Sequence, residues 1–452
     1  MREIHQEKTA HHLHKVSAAL DTGTKIQIER LLHSLSSAEI GELLESLPLT
    51  KRLAVWELVE AEFEGDVLVH VNDQVRASLI KDMSQEELVA AAGDLDLDDL
   101  ADILDDLPDT VIRELLQAMD RQDRERLAQV LSYHEDSAGG LMNPDVVTVR
   151  PDVSLDVVLR YLRLRATLPE LIDQLFVVDR RGRYLGSVKL TDLLTRNPES
   201  IVTDIMDTEV GAMQAELAAS EVALEFELHD LISAPVIDEK HKLVGYITID
   251  DVVDVIRDEA EHSVLTMAGL DEEDDMFAPV VVTAKRRWIW LSVNLVTAFI
   301  AALVLSFFEP TLEQVVALAI LFPVVMSMGG IAGTQTLTLV IRGMATGQVS
   351  YSNAAAIFRK EVAVGILNGM LFAVIVAVIA AWWYVDIKLG AVMAAAMIVN
   401  LLAGAIAGAL IPLALKRINI DPALAGGVVL TTVTDVIGIL AFVGLASLVL
   451  AH

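Results

Sequence analysis

The 452-residue chain carries a formal net charge of −31, 53% apolar residues and no cysteine. Its length admits two to four domains, and the missing cysteines exclude disulfides, thiolate metal sites and thiol catalysis; so acidic a chain repels nucleic acid and attracts cations. The charge is unevenly spread: residues before Lys285 hold 25 Lys+Arg and 59 Asp+Glu, net −34, and those from Lys285 onward hold 9 and 6, net +3.

Residues 1–19 read as a polar tail. Met1 to Lys15 has no apolar run of the kind that marks a signal peptide, so membrane insertion rests on a later span. His5, His11, His12 and His14 are a candidate metal-binding set, set against a plain polar tail. Residues 20–135 form a leucine-rich, acidic helical N-domain with an internal repeat: Glu39-Ile40-Gly41-Glu42-Leu43-Leu44-Glu45-Ser46-Leu47-Pro48 recurs sixty residues later as Asp99-Leu100-Ala101-Asp102-Ile103-Leu104-Asp105-Asp106-Leu107-Pro108. Stacked helical hairpins give such a period, so an α-solenoid-like fold is expected. Asp98 and Asp102, at i and i+4, share a helix face and repel each other unless a cation or base lies between them.

Residues 136–200 and 201–253 carry a second repeat at a constant offset of 59: Val178-Asp179 matches Ile237-Asp238, Gly186 matches Gly245, and Asp192 matches Asp251. Each copy reads as apolar strand, polar turn, second strand and a helix opening on Asp, an α/β unit used twice. The pattern resembles a tandem pair of CBS domains. In nucleotide-binding members a Ser or Thr three residues before the helix-opening Asp helps hold ribose. Thr248 and Asp251 fit that rule and Lys189 before Asp192 does not, which implies at most one site per chain for ATP or another adenosine nucleotide.

Residues 254–284 form an acidic connecting helix and linker. Asp251, Asp254 and Asp258 fall on one face of a helix that continues through Glu259, Glu261 and His262, followed by Asp271-Glu272-Glu273-Asp274-Asp275. An acidic helix beside acidic domains splays apart bare and closes when divalent cations fill the gaps.

From 285 to 452 the chain reads as a membrane domain with five apolar spans, about 288–308, 315–341, 362–383, 389–415 and 423–450. Lys285, Arg286, Arg287, Arg342, Arg359, Lys360, Lys416 and Arg417 fall on one side and Lys388 on the other, which puts the N-terminus in the cytosol of a cytoplasmic membrane and the C-terminus outside. The second span holds Gly329, Gly330, Gly333 and Gln335 after Pro323, where a passive anchor would hold Leu and Val. On the fifth, Gly427, Thr431, Thr432, Asp435 and Gly438 recur at steps of three and four, and Asp435 lies about 21 Å beyond Asp421 at helical rise. A carboxylate at that depth points first to an ion or proton route. One Asp is too few ligands for a dehydrated divalent ion, but a twofold dimer would supply two, enough to hold Mg2+ through its water shell.

The order of helical N-domain, CBS pair, acidic connecting helix and five spans resembles the MgtE family of Mg2+ channels. The resemblance implies a homodimer with a pore lined by the fifth and second spans, Asp435 as the filter carboxylate, and a connecting helix that plugs the cytosolic mouth when Mg2+ is high. It implies regulatory roles for Asp98, Asp102, Asp230, Asp251, Asp254, Glu259 and Asp421. Two departures stand out: Ile331 and Thr334 where the family commonly has Asn, and His262 where it often has a carboxylate, which weakens Mg2+ sensing or makes it pH-dependent. The expectation is a Mg2+-selective channel under cytosolic Mg2+ feedback. A proton-coupled transporter of Mn2+ or Co2+ and a membrane-anchored nucleotide sensor stand as alternatives. An enzyme is not expected, since the sequence offers no nucleophile with a base and no phosphate-cradling loop.

Overall fold

The computed structural model describes residues 12–20, 25–93, 95–104, 106–165, 171–270, 275–350, 352–418 and 420–450. His5, His11 and the acidic run 271–274 lie outside them. The chain divides into two bodies: Met1–Glu261 with Glu273–Pro279, and His262–Glu272 with Val280–His452.

Residues 12–19, expected as part of a polar tail, are helical and bury Val16 and Ala19 in the core of the first body. Short helices follow: α1 (Lys25–Leu32), α2 (Ser37–Glu45), α3 (Leu49–Trp56), α4 (Ala61–Val69), α5 (Asp73–Ile80), α6 (Gln85–Gly93), α7 (Leu97–Leu104), α8 (Asp109–Ala118) and α9 (Arg121–Val130). The sixty-residue repeat is a repeat of burial. Ile40, Leu43, Leu44 and Leu47 match Leu100, Ile103, Leu104 and Leu107, and all eight are buried in one core. Boundaries follow from capping chemistry: Ser36 and Glu39 form a reciprocal box before α2, and Asn72 and Asp120 accept from the backbone of Val75 and Asp123. Pro48 and Pro108 stand at the N-caps of α3 and α8, where no intrahelical N–H is lost.

Next come β1 (Thr148–Val149), α10 (Leu155–Leu164), β2 (Gln174–Val178), β3 (Tyr184–Lys189), α11 (Leu190–Thr195) and α12 (Val202–Ile205), then β4 (Met213–Gln214), α13 (Ala219–His229), β5 (Ser233–Ile237) and β6 (Leu243–Thr248). They build two three-stranded sheets, β1-β2-β3 and β4-β5-β6, each with one parallel and one antiparallel pair. The copies match down to a register shift at Val177/Val178 and at Val236/Ile237. They also touch through equivalent residues: Gln174 Nε2 donates to the Ser233 carbonyl at 2.9 Å, and Arg183 bridges to Lys242. Asp179 and Asp238 fold the two turns alike, each accepting two backbone N–H groups. Helix α14 (Ile249–Met267) follows β6 directly and runs through the division between the bodies.

Among the described residues the second body holds five helices long and apolar enough to cross a membrane: α15 (Val280–Ser306), α17 (Val316–Ala345), α18 (Ala354–Tyr384), α19 (Ile387–Arg417) and α20 (Pro422–Val449), with a short α16 (Glu309–Gln314) before the second span. Several start or end well beyond their apolar windows. Helix α15 includes Lys285 to Arg287, and α18 includes Arg359 to Glu361, because helical hydrogen bonding does not stop where hydropathy falls. The fourth span is the packing hub. A Cβ added at Gly404 or Gly408 would lie 2.6 or 2.5 Å from the carbonyl oxygens of Gly329 or Gly333, so glycine at these positions lets α19 and α17 meet backbone to backbone.

Candidate ion pathway and acidic cluster

In the membrane body, a cavity of about 540 Å³ is walled by one face of α17 (Met326, Ser327, Gly330, Ile331, Thr334 and Gln335) and by Thr431 and Asp435 of α20. Asp435, Thr431, Gly330 and Gln335, all expected on the pathway, are thus brought together. The hydroxyls of Thr431, Thr432 and Thr334 donate to carbonyls one turn back, at 2.8, 2.8 and 2.9 Å. Their oxygens keep lone pairs to offer the water shell of a cation. Gly427 and Gly330 look onto open space, with no atom within 4 Å of an added Cβ.

The other expected pathway glycines take a different place. Gly329 and Gly438 close on the side chain of Asn400 of α19, and Gly333 closes on Leu430. A Cβ at Gly329 would sit 2.1 Å from Asn400 Nδ2, and one at Gly438 would sit 2.3 Å from Met326 Cε. Asn400 is fully buried and donates to the Val325 carbonyl at 2.8 Å, while its Oδ1 has no hydrogen-bond partner among the described residues. These small residues make room for a polar node behind the cavity wall. Asp421 caps α20, accepting from the Ala423 N–H at 2.9 Å, and its Oδ2 lies 3.4 Å from His262 Nε2.

In the first body, Asp98, Asp99 and Asp102 of α7 and Asp251 of α14 form a crowded acidic cluster. Asn143 Nδ2 donates to Asp98 at 3.2 Å, and Asn143 is bridged to Tyr246. The Thr248 hydroxyl donates to Asp251 Oδ2 at 3.1 Å and also engages Asp250. Burial pushes Asp98 up to about 6, with Asp96 adding repulsion. Burial and then Asp98 and Asp102 push Asp99 to about 7. Asp102 rises to about 7 through burial, then Asp98 and Glu135, with Arg76 opposing and Asp254 adding repulsion. Asp251 rises to about 8 through burial, then Asp250 and Asp98. Asp254 is exposed beside Arg257 at 3.6 Å, Glu259 is exposed, and Asp230 is an exposed C-cap of α13 at φ 51°. Among the described residues no three carboxylate or imidazole groups converge closely enough to ligate one metal ion.

The raised values have a thermodynamic consequence. The folded body keeps these protons up to pH 6–8, whereas an unfolded chain releases them near 3.9. The stability these carboxylates contribute is fully present below about pH 3.9 and is lost as pH rises toward 8. In chelator, the first calorimetric transition of the full-length protein should fall by roughly 5 °C between pH 5 and pH 8, and Mg2+ should restore it. A transition that is flat or rises with pH would remove the cluster from the account.

Sequence reasoning missed three residues that the structure brings forward: the buried Arg52, which pairs with Asp275; Asn400; and Glu361, buried in α18. Glu361 left a trace, a carboxylate between two basic residues and an apolar run.

Family profiles match three parts of the chain: the MgtE intracellular N domain at residues 35–136, CBS domains at 138–199 and 202–258, and MgtE, a divalent cation transporter, at 322–445. The magnesium transporter MgtE of Thermus thermophilus is 31% identical over 94% of this chain and 98% of its own length. The chain belongs to the MgtE family. A second MgtE-family relative, the magnesium transporter MgtE of Bacillus subtilis, is 27% identical over 92% of each chain. Among solved structures, the cytosolic domain of the Mg2+ channel MgtE in complex with ATP is 32% identical, covering 54% of this chain and 99% of that one with a TM-score of 0.49.

Proposed function

We propose that this MgtE-family chain is a multi-pass Mg2+ channel that takes up Mg2+ across the cytoplasmic membrane, with its N-terminus cytosolic. The observation that carries the reading is the cavity in which Asp435 and Thr431 of the fifth span face the Gly330 to Gln335 wall of the second. One carboxylate and back-bonded hydroxyls suit a cation that keeps its water, as Mg2+ does. Gly330 in the cavity wall and Gly427, one turn before Thr431, both look onto open space, which supports completion by the same face of a second copy in a twofold homodimer. The test is Mg2+ uptake into proteoliposomes with no pH gradient. Uptake supports a passive pathway; uptake only under an imposed gradient would favour proton coupling to a divalent cation, and none under either would leave the nucleotide-sensor reading.

The acidic cluster supports negative feedback. Mg2+ between Asp98, Asp102, Asp251 and Asp254 would cancel their mutual repulsion and favour the closed arrangement of N-domain, CBS pair and connecting helix, with Asp230, Glu259 and Asp421 as further regulatory carboxylates. Asp254→Ala should leave channels open at a cytosolic Mg2+ level that closes the wild type, raising patch-clamp current by roughly tenfold for about 1.4 kcal/mol of lost closure. Currents suppressed as fully as in the wild type would refute feedback through this helix. Thr248 and Asp251 support an adenosine nucleotide site in the second CBS copy, and their hydrogen bond would have to open for a ribose to bind.

A further inference from the structure

Asp435 is not the only carboxylate among the membrane helices. Glu361 lies eight residues into α18 and is 5% exposed. A buried carboxylate in a membrane domain is costly unless it is partnered, and an apolar side chain would pack there without that penalty. Its Oε2 accepts from the Thr336 hydroxyl of α17 at 3.1 Å, and its Oε1 is 3.6 Å from Lys360 Nζ. Lys360 is largely exposed, so the bond made inside the bundle is the one to Thr336.

The position of Thr336 gives this bond its reach. It follows Thr334 and Gln335, which wall the cavity, and is itself buried on the bundle side of the same helix. The second and third spans pack mainly on the fourth and touch each other little. Glycines of α19 and α18 make the link possible: a Cβ at Gly408 of α19 would come within 2.9 Å of Thr336 Cβ, and Gly365 of α18, one turn beyond Glu361, seats that helix on Ala405. The carboxylate thus reaches across a small-residue stripe to grip the back of the cavity wall.

We propose that Glu361 is a positioning residue for ion passage: through the Thr336 hydroxyl it holds the second span, and with it the Thr334 and Gln335 wall, in register with the third. Its effect on flux rests on the transport reading; its effect on the wall does not. The cysteine-free chain allows a direct probe. In full-length protein in lipid, Thr334→Cys is labelled with a positively charged methanethiosulfonate, alone and combined with Glu361→Ala, Thr336→Val or Glu361→Gln. The labelling rate should change by roughly fivefold or more with Glu361→Ala and with Thr336→Val, and no further when the two are combined, since both break one hydrogen bond. Glu361→Gln, whose carbonyl still accepts, should label within about twofold of Thr334→Cys alone. Single-channel Mg2+ current, which does not depend on how many molecules fold, should follow the same order. Unchanged labelling in Thr336→Val, the mildest variant and the one kept if Glu361→Ala does not fold, overturns the proposal. So does Glu361→Gln behaving like Glu361→Ala, which would make the charge and not the bond the working feature. Labelling that shifts while the wild type passes no Mg2+ would sink the transport reading and leave the positioning role standing.

Discussion

Replacing Asp435 with asparagine should remove nearly all Mg2+ uptake while leaving the bundle folded. The substitution keeps the shape of the side chain and deletes only its charge. A unit charge about 5 Å from a cation, with an effective dielectric near 20, is worth about 3 kcal/mol per cation charge, so uptake should fall by about 100-fold or more. Asp435→Ala should do the same. Proteoliposomes holding equal amounts of monodisperse wild type or variant, with no pH gradient, provide the comparison, and Mg2+ uptake within about threefold of wild type in Asp435→Asn would move the ion route away from this cavity. Thr431→Val, which keeps volume and loses a hydroxyl already bonded to Gly427, should have a much smaller effect.

The second large effect concerns folding. Arg52 is fully buried in the helical N-domain: its Nε donates to the Leu44 carbonyl at 2.9 Å, and its two terminal nitrogens reach the Asp275 oxygens at 2.9 and 3.1 Å. Asp275 is held in turn by Gln74, which accepts from its N–H, and by the Phe277 N–H. A paired guanidinium and carboxylate in such a place can be nearly neutral for stability, but breaking the pair strands a buried charge. Asp275→Ala should destabilise the first body by about 3–5 kcal/mol, and the double variant Arg52→Met/Asp275→Ala should recover much of that loss. Urea unfolding of the full-length proteins reads both. A loss under about 1 kcal/mol in Asp275→Ala, or no recovery in the double variant, would contradict this account of the pair.

What the sequence made legible was whatever is local or periodic. The offset of 59 between the CBS copies survives as matched strands, turns and register shifts because each copy solves the same short-range problem. The five spans were readable from hydropathy, although their helices run on past the apolar windows. The candidate site was half legible. Asp435, Thr431, Gly330 and Gln335 meet at one cavity, but Gly438 does not, although it shares nearly the same azimuth on α20 as Gly427, about 20° apart on a regular helix. Azimuth says which way a residue points and not how closely the neighbouring helices converge at that depth; at Gly427 they stand apart, and at Gly438 they close on Met326 and Asn400. The pair of Arg52 and Asp275 spans 223 residues, a separation no local pattern records. Glu361 escaped because it stands at the edge of an apolar window, where a carboxylate reads as interfacial until its helix is seen to continue past it.

The node around Asn400 constrains how this membrane domain can vary. Its carboxamide occupies the space that side chains at 329 and 438 would otherwise fill, so the three positions share a single volume across three helices. Alanine at either glycine is a stabilising choice on helix propensity alone, yet at 329 it would collide with a carboxamide that cannot move without giving up the Val325 carbonyl, and at 438 it would displace Met326 and press on the same carboxamide. Drift at these sites must therefore be concerted: a larger residue at 329 becomes tolerable only after position 400 has shrunk, one at 438 needs room from Met326 as well, and in related chains these positions should vary together.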